Sequence, residues 1–433
     1  YKPHPSTGKG RGGWVRPTSP ISEEELALLT VPKIAELLRT DWTPVKLHEL
    51  NKAADFLAPI NPEGLSDTIK TDFLKRPKEY LNAATLFFDR DTLSPHYTYA
   101  FLRMIPESFK DNILDPSETE WTPLIKLFSA IKKADGTTPL EPLEGSSEFH
   151  AWVAGWKSVY STEAELLTSL LHKHCDLSVF RADIVNIIEH LLRNPDPTPA
   201  EEIIPSGAKK ESSTINDPYS IAINSVRGKA FETFVAFTQE DWNQSEKRGK
   251  AEIAADIKLI YESLLKAETT RAIRFLFGKD LAFFYSRDKV WISNLMPQIF
   301  TPKANDNHLY LASWEGYLST TLYSTLFFPD EFQRLYIRGL HISTENDPRR
   351  NYFTDPCEGL GTHIGLAFGH FDEFTMTNPL FIEFWTKGNS RQQAAFITAI
   401  GSSIFSNHNS KENEVLKEKP ETLKKIELFW DWL

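Results

Sequence analysis

Histidine and cysteine side chains could ligate a metal ion in one short stretch of the chain. His172, His174 and Cys175 form an H-x-H-C pattern in which His172 and Cys175 would share a helical face. A zinc site needs three or four ligands that converge at about 2.3 Å or less from the metal. Since His190 and Asp176 would complete such a set only if folding brought them in, we predict no metal site here.

A second group of residues could support acid–base chemistry. Cys357, His363 and His370 have the wrong spacing for a zinc finger and lack a second nearby cysteine. Asp355 and Glu358 lie close to them in the sequence, so these positions are the first place to look for an active site. An enzyme whose cleft is assembled from distant residues therefore stays open as an alternative.

No other motif of the chain predicts an enzyme. Ser286 and Lys289 match S-x-x-K, a pattern that often arises by chance. The glycine-rich residues 6–13 lack the spacing of a phosphate-binding loop, and no apolar strand precedes them. We find no nucleophile elbow and no dinucleotide fingerprint, and we predict no catalytic, cofactor-binding or metal-binding residue.

Amphipathic helices are the dominant pattern. Between residues 221 and 237 the apolar positions lie on one helical stripe, and a second stripe follows after a polar break. The members of the two stripes are Ile223, Val226, Ala230, Phe234 and Phe237, and then Ile253, Ile257, Ile260 and Leu264. Each stripe must be buried against a neighbour, so the helices are expected to stack.

Glycines inside these helices predict close helix contacts. Gly228 interrupts good helix formers, which indicates a close helix crossing, and Arg227 beside it is expected to bridge to a carboxylate or a carbonyl. Gly361, Gly365 and Gly369 recur every fourth residue along one face of a helix, where a neighbour could approach.

The same patterns divide the chain into segments. We predict helices at 62–76, 77–88, 95–108, 121–133, 148–160, 161–193, 217–237, 240–268, 269–286, 289–299, 307–326, 330–340, 361–368, 379–386, 390–405 and 421–433. Residues 1–20 are predicted to be a flexible lead-in, 21–193 an N-terminal helical domain, 194–218 a polar loop or linker, and 219–433 a C-terminal helical-repeat domain.

Composition limits the partners. The chain has 433 residues and a formal net charge of −11, which disfavours nonspecific binding to a phosphate backbone. Two cysteines are too few for a disulfide framework, and no run of eighteen apolar residues occurs, so we expect a cytoplasmic protein without membrane partners. A first residue other than methionine favours a piece of a longer polypeptide.

The predicted fold class is all-α. Helices of irregular length without a fixed repeat period favour an irregular α-solenoid built from HEAT-like, degenerate helical hairpin repeats.

Four stretches carry a resemblance to a known family. They are ISEEELALLTVPKIAELLRT with the later PEGL at 62–65, DPYSIAINSVRGKAFETFV, the span from FLFGKDLAFFYSRDKVW to SWEGYLST, and SRQQAAFITAIGSSIF. Together they resemble the helical-repeat region of large bacterial antiphage-defence proteins, the kind found beside sirtuin-like or NTPase modules. The resemblance implies a sensor or scaffold segment whose effector lies elsewhere, and it supplies no catalytic residue.

We therefore expect a non-catalytic helical scaffold that binds a protein partner, such as a phage protein or another subunit of a defence complex. No cofactor is predicted. Two alternatives remain, the enzyme described above and a nucleic-acid-binding helical array, which would need a local basic groove against the overall negative charge.

Overall fold

The computed structural model describes residues 16–51, 58–133, 153–173, 175, 177–202, 217–301, 307–341, 353–405 and 420–433. Across these ranges the regular elements are helices, apart from a single β-bridge between Thr18 and Ile60. This confirms the all-α prediction. The chain divides into two compact units, residues 1–193 and residues 194–433.

The first unit contains nine α-helices in its described part. They are α1 (Glu23–Ala27), α2 (Val31–Thr40), α3 (Pro44–Asn51), α4 (Pro62–Lys75), α5 (Pro77–Asn82), α6 (Pro95–Glu107), α7 (Thr122–Lys133), α8 (Trp156–His172) and α9 (Arg181–Leu192). Proline at the first turn starts several of them, because its missing N–H has no partner there in any helix. Ser22 and Glu25 form a capping box at α1, as their spacing predicts.

Aromatic rings fill the core of the first unit between α4, α5 and α6. Phe87 stacks on Phe101 with ring centroids 4.4 Å apart, and Phe73 meets Phe101 edge to face. All three rings are buried, so they contribute apolar area rather than a ligand box.

The second unit contains thirteen α-helices in its described part. They are α10 (Pro218–Ile223), α11 (Val226–Lys247), α12 (Ala255–Ala267), α13 (Arg271–Lys279), α14 (Leu281–Arg287), α15 (Lys289–Ile299), α16 (Asn307–Leu318), α17 (Ser324–Phe327), α18 (Asp330–Leu340), α19 (Pro356–His370), α20 (Pro379–Lys387), α21 (Ser390–Phe405) and α22 (Pro420–Trp432).

Five of these helices pack in succession. Helix α10 lies on α13, α13 on α16, α16 on α19, and α19 on α21. The α19–α21 pair runs in the same direction, because residue numbers rise together along the contact. Helices in between, such as α14, α15, α18 and α20, connect the members of this row and pack beside them.

Glycine permits close backbone contacts between helices of the row. A Cβ at Gly316 would lie 2.0 Å from the carbonyl oxygen of Phe275, and one at Gly361 would lie 2.1 Å from that of Gln392. Gly365 also abuts α21, whereas a Cβ at Gly369 would meet nothing within 4 Å. The predicted glycine face is therefore confirmed for Gly361 and Gly365 and wrong for Gly369.

Helix boundaries differ from the prediction where side chains cap the backbone. The stripe from residue 221 to 237 is split, because α10 ends at Ile223 and the Ser225 hydroxyl caps α11 by accepting from the Gly228 N–H. The predicted break near Glu240 is absent, and α11 continues to Lys247. A Cβ at Gly228 would lie 1.9 Å from the Ala222 carbonyl oxygen, which confirms the close contact.

Two other predicted helices are shorter than expected. The 161–193 segment is interrupted after α8 ends at His172, where the Cys175 N–H donates to the Leu170 carbonyl and closes the helix end. The 307–326 segment ends at Leu318, and only the short helix α17 follows. Predictions for residues 1–15, 134–152, 203–216 and 406–419 lie outside the described residues.

Candidate functional site

Arg391 at the start of α21 joins the two acidic residues that the sequence singled out at the start of α19. Its Nη2 lies 3.0 Å from Asp355 Oδ2 and 2.8 Å from Glu358 Oε1, and this pairing raises the pKa of the guanidinium. Asp355 also caps α19, because its Oδ1 accepts from the Cys357 N–H at 2.9 Å. Both carboxylates therefore act in positioning α19 and α21.

His363 points to the opposite side, into an aromatic cluster. Its Nε2 donates to the Thr320 carbonyl at 3.2 Å, which leaves Nδ1 to accept from the Tyr336 hydroxyl at 2.9 Å. Burial lowers the pKa of His363 to about 4. His370 lies seven residues further along the helix, about 10 Å of helical rise away. The structure therefore keeps His363 apart from the two acids, whereas His370 and Glu358 lie in the lining of one groove.

A groove of about 710 Å³ lies between α19 and α21. Residues spaced four apart on α19 form one wall, and small side chains of α21 form the other. The groove-lining residues are Glu358, Thr362, Leu366, His370, Arg391, Ala394, Ala395, Thr398, Ala399 and Ser402. The ion pair of Glu358 and Arg391 lies at one end of the groove, which we call its mouth, and His370 lies at the other end. Both ends are therefore polar. We call this feature the α19–α21 groove.

The α19–α21 groove has the size of a small-molecule or peptide site. The sequence analysis did not identify α21 as a groove wall. The signal that could have found it is the spacing of small residues along one side of the helix, at Ala394, Ala395, Thr398, Ala399 and Ser402.

The histidines and the cysteine near residue 172 are only partly described. Cys175 is buried, and burial raises the pKa of its thiol to about 11. His174 and Asp176 lie outside the described residues. Within the part of the chain that the structure describes, no group of three or more His, Cys, Asp or Glu side chains could hold a metal ion.

A serine–histidine pair that the sequence did not reveal lies in the first unit. Ser66 Oγ is 3.3 Å from His96 Nε2, and both residues are buried. His96 Nδ1 accepts from the Ala154 N–H, so Nε2 carries the proton, while the serine donates to the Pro62 carbonyl at 2.7 Å. The histidine thus donates to the serine instead of accepting its proton. This is the reverse of a nucleophile and its base.

Buried charges cluster at the N-terminus of α13. The Glu202 carboxylate accepts from the Arg271 and Ala272 N–H groups at 2.8 and 2.7 Å. Burial raises the pKa of Glu202, and these two hydrogen bonds oppose the rise. Glu268 accepts from the Thr270 N–H and hydroxyl. These carboxylates satisfy helix-terminal donors that would otherwise be buried without partners.

Arg227 connects residues 196–197 to this charged cluster. Its guanidinium donates to the Pro197 carbonyl at 2.6 Å and lies 3.6 Å from Glu268 Oε1, which confirms the predicted bridge. Asp196 accepts from the Val226 N–H at 2.7 Å. The ends of the predicted 194–218 loop therefore hydrogen-bond to helices of the second unit, as Glu202 also does.

Exposed apolar side chains concentrate on α22. Leu428, Trp430, Trp432 and Leu433 are each about half exposed, at 49–55%. Phe429 between them is buried against Phe368, Phe396 and Trp385. One face of α22 is therefore packed in the unit, and apolar side chains remain at the surface beside it.

Comparison with known proteins gave no match: no protein-family profile, curated protein or solved structure is similar to this chain. Within the described residues, no helix has both the length and the apolar character needed to cross a bilayer.

Proposed function

We propose that this chain is an irregular α-solenoid that acts as a non-catalytic scaffold and sensor segment of a bacterial antiphage-defence protein. It binds a polypeptide segment of a protein partner and relays that binding to an effector located elsewhere. The row from α10 to α21 supports the solenoid, because solenoids stack helix pairs with each unit contacting its neighbours. The defence role rests on the resemblance of the four sequence stretches.

The observation that carries the binding proposal is the α19–α21 groove. Its wall of alanine, threonine and serine admits the backbone of a bound segment, and its charged mouth supplies hydrogen bonds that orient it. Half-exposed tryptophans on α22 of the same unit add side chains of the type that dominates binding energy in protein interfaces.

The test fills the groove and leaves the fold intact. Ala394 is exposed and lines the groove, so Ala394→Trp should block a bound segment. Ala255 is an exposed alanine at the start of α12, and Ala255→Trp is the matched control. Bacteria expressing the gene that encodes this chain are challenged with phages, and plaque counts are compared between variants.

Ala394→Trp should raise plaque counts at least tenfold and reduce cross-linking to a phage or host protein, while Ala255→Trp should change neither. Circular dichroism must show equal helicity for both variants. Full protection and unchanged cross-linking with Ala394→Trp would exclude the groove as the binding site. Absence of protection by the unaltered gene against any phage would count against the defence role.

A further inference from the structure

A buried carboxyl group lies beneath a surface segment that leads into the α19–α21 groove. Glu315 of α16 is fully buried, and its Oε1 accepts from the N–H groups of Phe353 and Thr354. The second of these hydrogen bonds is 3.1 Å long. Phe353 is 56% exposed, and its ring packs on Tyr219 with centroids 4.5 Å apart. We call residues 353–355 the strap.

The strap ends at the mouth of the groove. Its last residue, Asp355, pairs with Arg391, which in turn binds Glu358. Glu315 therefore binds two strap amides, and Asp355, the next residue, pairs with the arginine that lines the groove. Because Asp355 also caps α19 and Glu358 also binds Arg391, residues 353 and 354 can leave α16 while these contacts persist.

The surroundings of Glu315 favour its neutral form. Its Oε2 has no hydrogen-bond partner among the described residues, and an ionised oxygen left so would be strongly destabilised. Burial raises the pKa of Glu315 to about 8, although the strap amides and Arg271 oppose this rise. Asp217 at the start of α10 adds to it.

The other charged groups near this position are already engaged. Glu202 and Glu268 accept from backbone groups at α13, and Asp355 and Glu358 bind Arg391. His363 of α19 hydrogen-bonds to Tyr336 and Thr320. Among these acids, Glu315 is the one whose carboxyl is covered by the strap amides, so its hydration requires the strap to open.

We propose that Glu315 is a proton-dependent latch: the amides of Phe353 and Thr354 stay on α16 while the carboxyl is protonated, and they lift when it ionises, beside the mouth of the groove. That this opening regulates partner binding rests on the function proposed above. The latch itself is a property of the free chain and is tested without any partner.

The sign follows from linkage. Opening the strap hydrates Glu315 and returns its pKa toward the ordinary value of 4.5, so the open state binds fewer protons than the closed state. Opening therefore becomes more favourable as pH rises from about 4.5 to about 8, by up to tenfold per pH unit, and levels off above about 8.

Hydrogen exchange of the intact chain between pH 6 and 9 measures this opening directly, after correction for the intrinsic pH dependence of amide exchange. The protection factors of the Phe353 and Thr354 amides should fall with pH up to about 8 and then level off. Glu315→Gln keeps the shape of the side chain but cannot ionise, so its strap protection should not change with pH. Glu163→Gln, which alters a buried acid of the first unit, should keep the wild-type profile.

Three results would overturn the latch. They are constant strap protection in the unaltered chain, an equal slope in Glu315→Gln, and the same slope in the amides of α12, which would indicate global unfolding. If Glu315→Gln does not fold, the amide chemical shifts of Phe353 and Thr354 in the unaltered chain decide. A common titration midpoint near pH 8 supports the latch, and its absence excludes it.

Discussion

Individual buried ionisable residues show most clearly how this chain differs from a simple apolar stack of helices. Glu163, His96, Glu315 and His363 are all buried, although charged and polar groups are normally kept at the surface. The two histidines are hydrogen-bonded through both ring nitrogens, whereas Glu163 has no hydrogen-bond partner among the described residues. Burial of a polar group without a hydrogen-bond partner, as for Glu163, destabilises a fold.

Replacing Glu163 should therefore stabilise the first unit. Burial raises the pKa of Glu163 well above its ordinary value of 4.5, so the folded state holds a proton that the unfolded state loses above about pH 4.5. Stability consequently falls as pH rises. In urea unfolding at pH 5 and pH 8, Glu163→Met should be more stable than wild type by roughly 1–3 kcal/mol at pH 8 and less pH-dependent.

Glu165 provides the control for this substitution. It is exposed on the same helix, so Glu165→Met should change stability by less than about 0.5 kcal/mol. A Glu163→Met variant that is less stable than wild type at pH 8 would show that the carboxyl makes a stabilising contact.

The two buried histidines predict a loss of stability in mild acid. Burial lowers the pKa of His96 and of His363 to about 4, from an ordinary value of 6.5. The unfolded chain binds these protons first, so stability is lost as pH falls from about 6.5 to about 4, by roughly 3 kcal/mol for each histidine. Imidazole NMR titrations should give midpoints near 4 for both, and midpoints near 6.5 would contradict the buried neutral state.

At the scale of helices, backbone contact at glycine decides how closely the row is packed. Gly361 touches α21, while Gly369 on the same helix faces open space. Both positions are glycines of the same helix, so replacing either with alanine changes helix propensity in the same way. A difference between the two stability effects therefore reports the contact between α19 and α21.

Gly361→Ala should destabilise the second unit by roughly 3 kcal/mol or more, because the new methyl would overlap the Gln392 backbone. Gly369→Ala should be neutral or stabilise the helix by up to about 1 kcal/mol. Thermal and urea unfolding measure both. Equal effects of the two substitutions would mean that α19 and α21 are not in backbone contact.

At the scale of the whole molecule, net charge limits what the chain can bind. A net charge of −11 repels a phosphate backbone, and the basic group at residues 247–250 is short. Fluorescence anisotropy with a labelled 20-base-pair duplex should show no binding at micromolar protein in about 150 mM salt. Tight binding that weakens steeply with salt would instead favour the nucleic-acid-binding alternative.

The regular spacing of apolar residues made the helices predictable, whereas capping side chains shifted the helix ends away from their predicted positions. Gly361 and Gly365 could be recognised as contact positions because a mid-helix glycine is unfavourable without a close neighbour. Gly228 was recognised by the same argument, although it lies in the first turn of α11. The break at Ser225 was missed, since a serine cap inside a continuous apolar stripe resembles an ordinary polar position. The α19–α21 groove was missed as well, because its two walls belong to two separate helices, and no sequence pattern indicates that these helices pack side by side.

The periodicity of apolar residues is enough to predict that this chain is helical, because an apolar period near 3.6 residues can be buried only as a helix face. Glycine positions also located several residues where helices touch. The three-dimensional packing shows which helices are neighbours, that Arg391 joins Asp355 and Glu358, and that Glu315 lies beneath residues 353–354. The side-chain contacts of Arg391 and Glu315 join residues 33 to 39 positions apart in the sequence. No short-range sequence pattern encodes such contacts, because packing in three dimensions sets the burial and the pKa of each group.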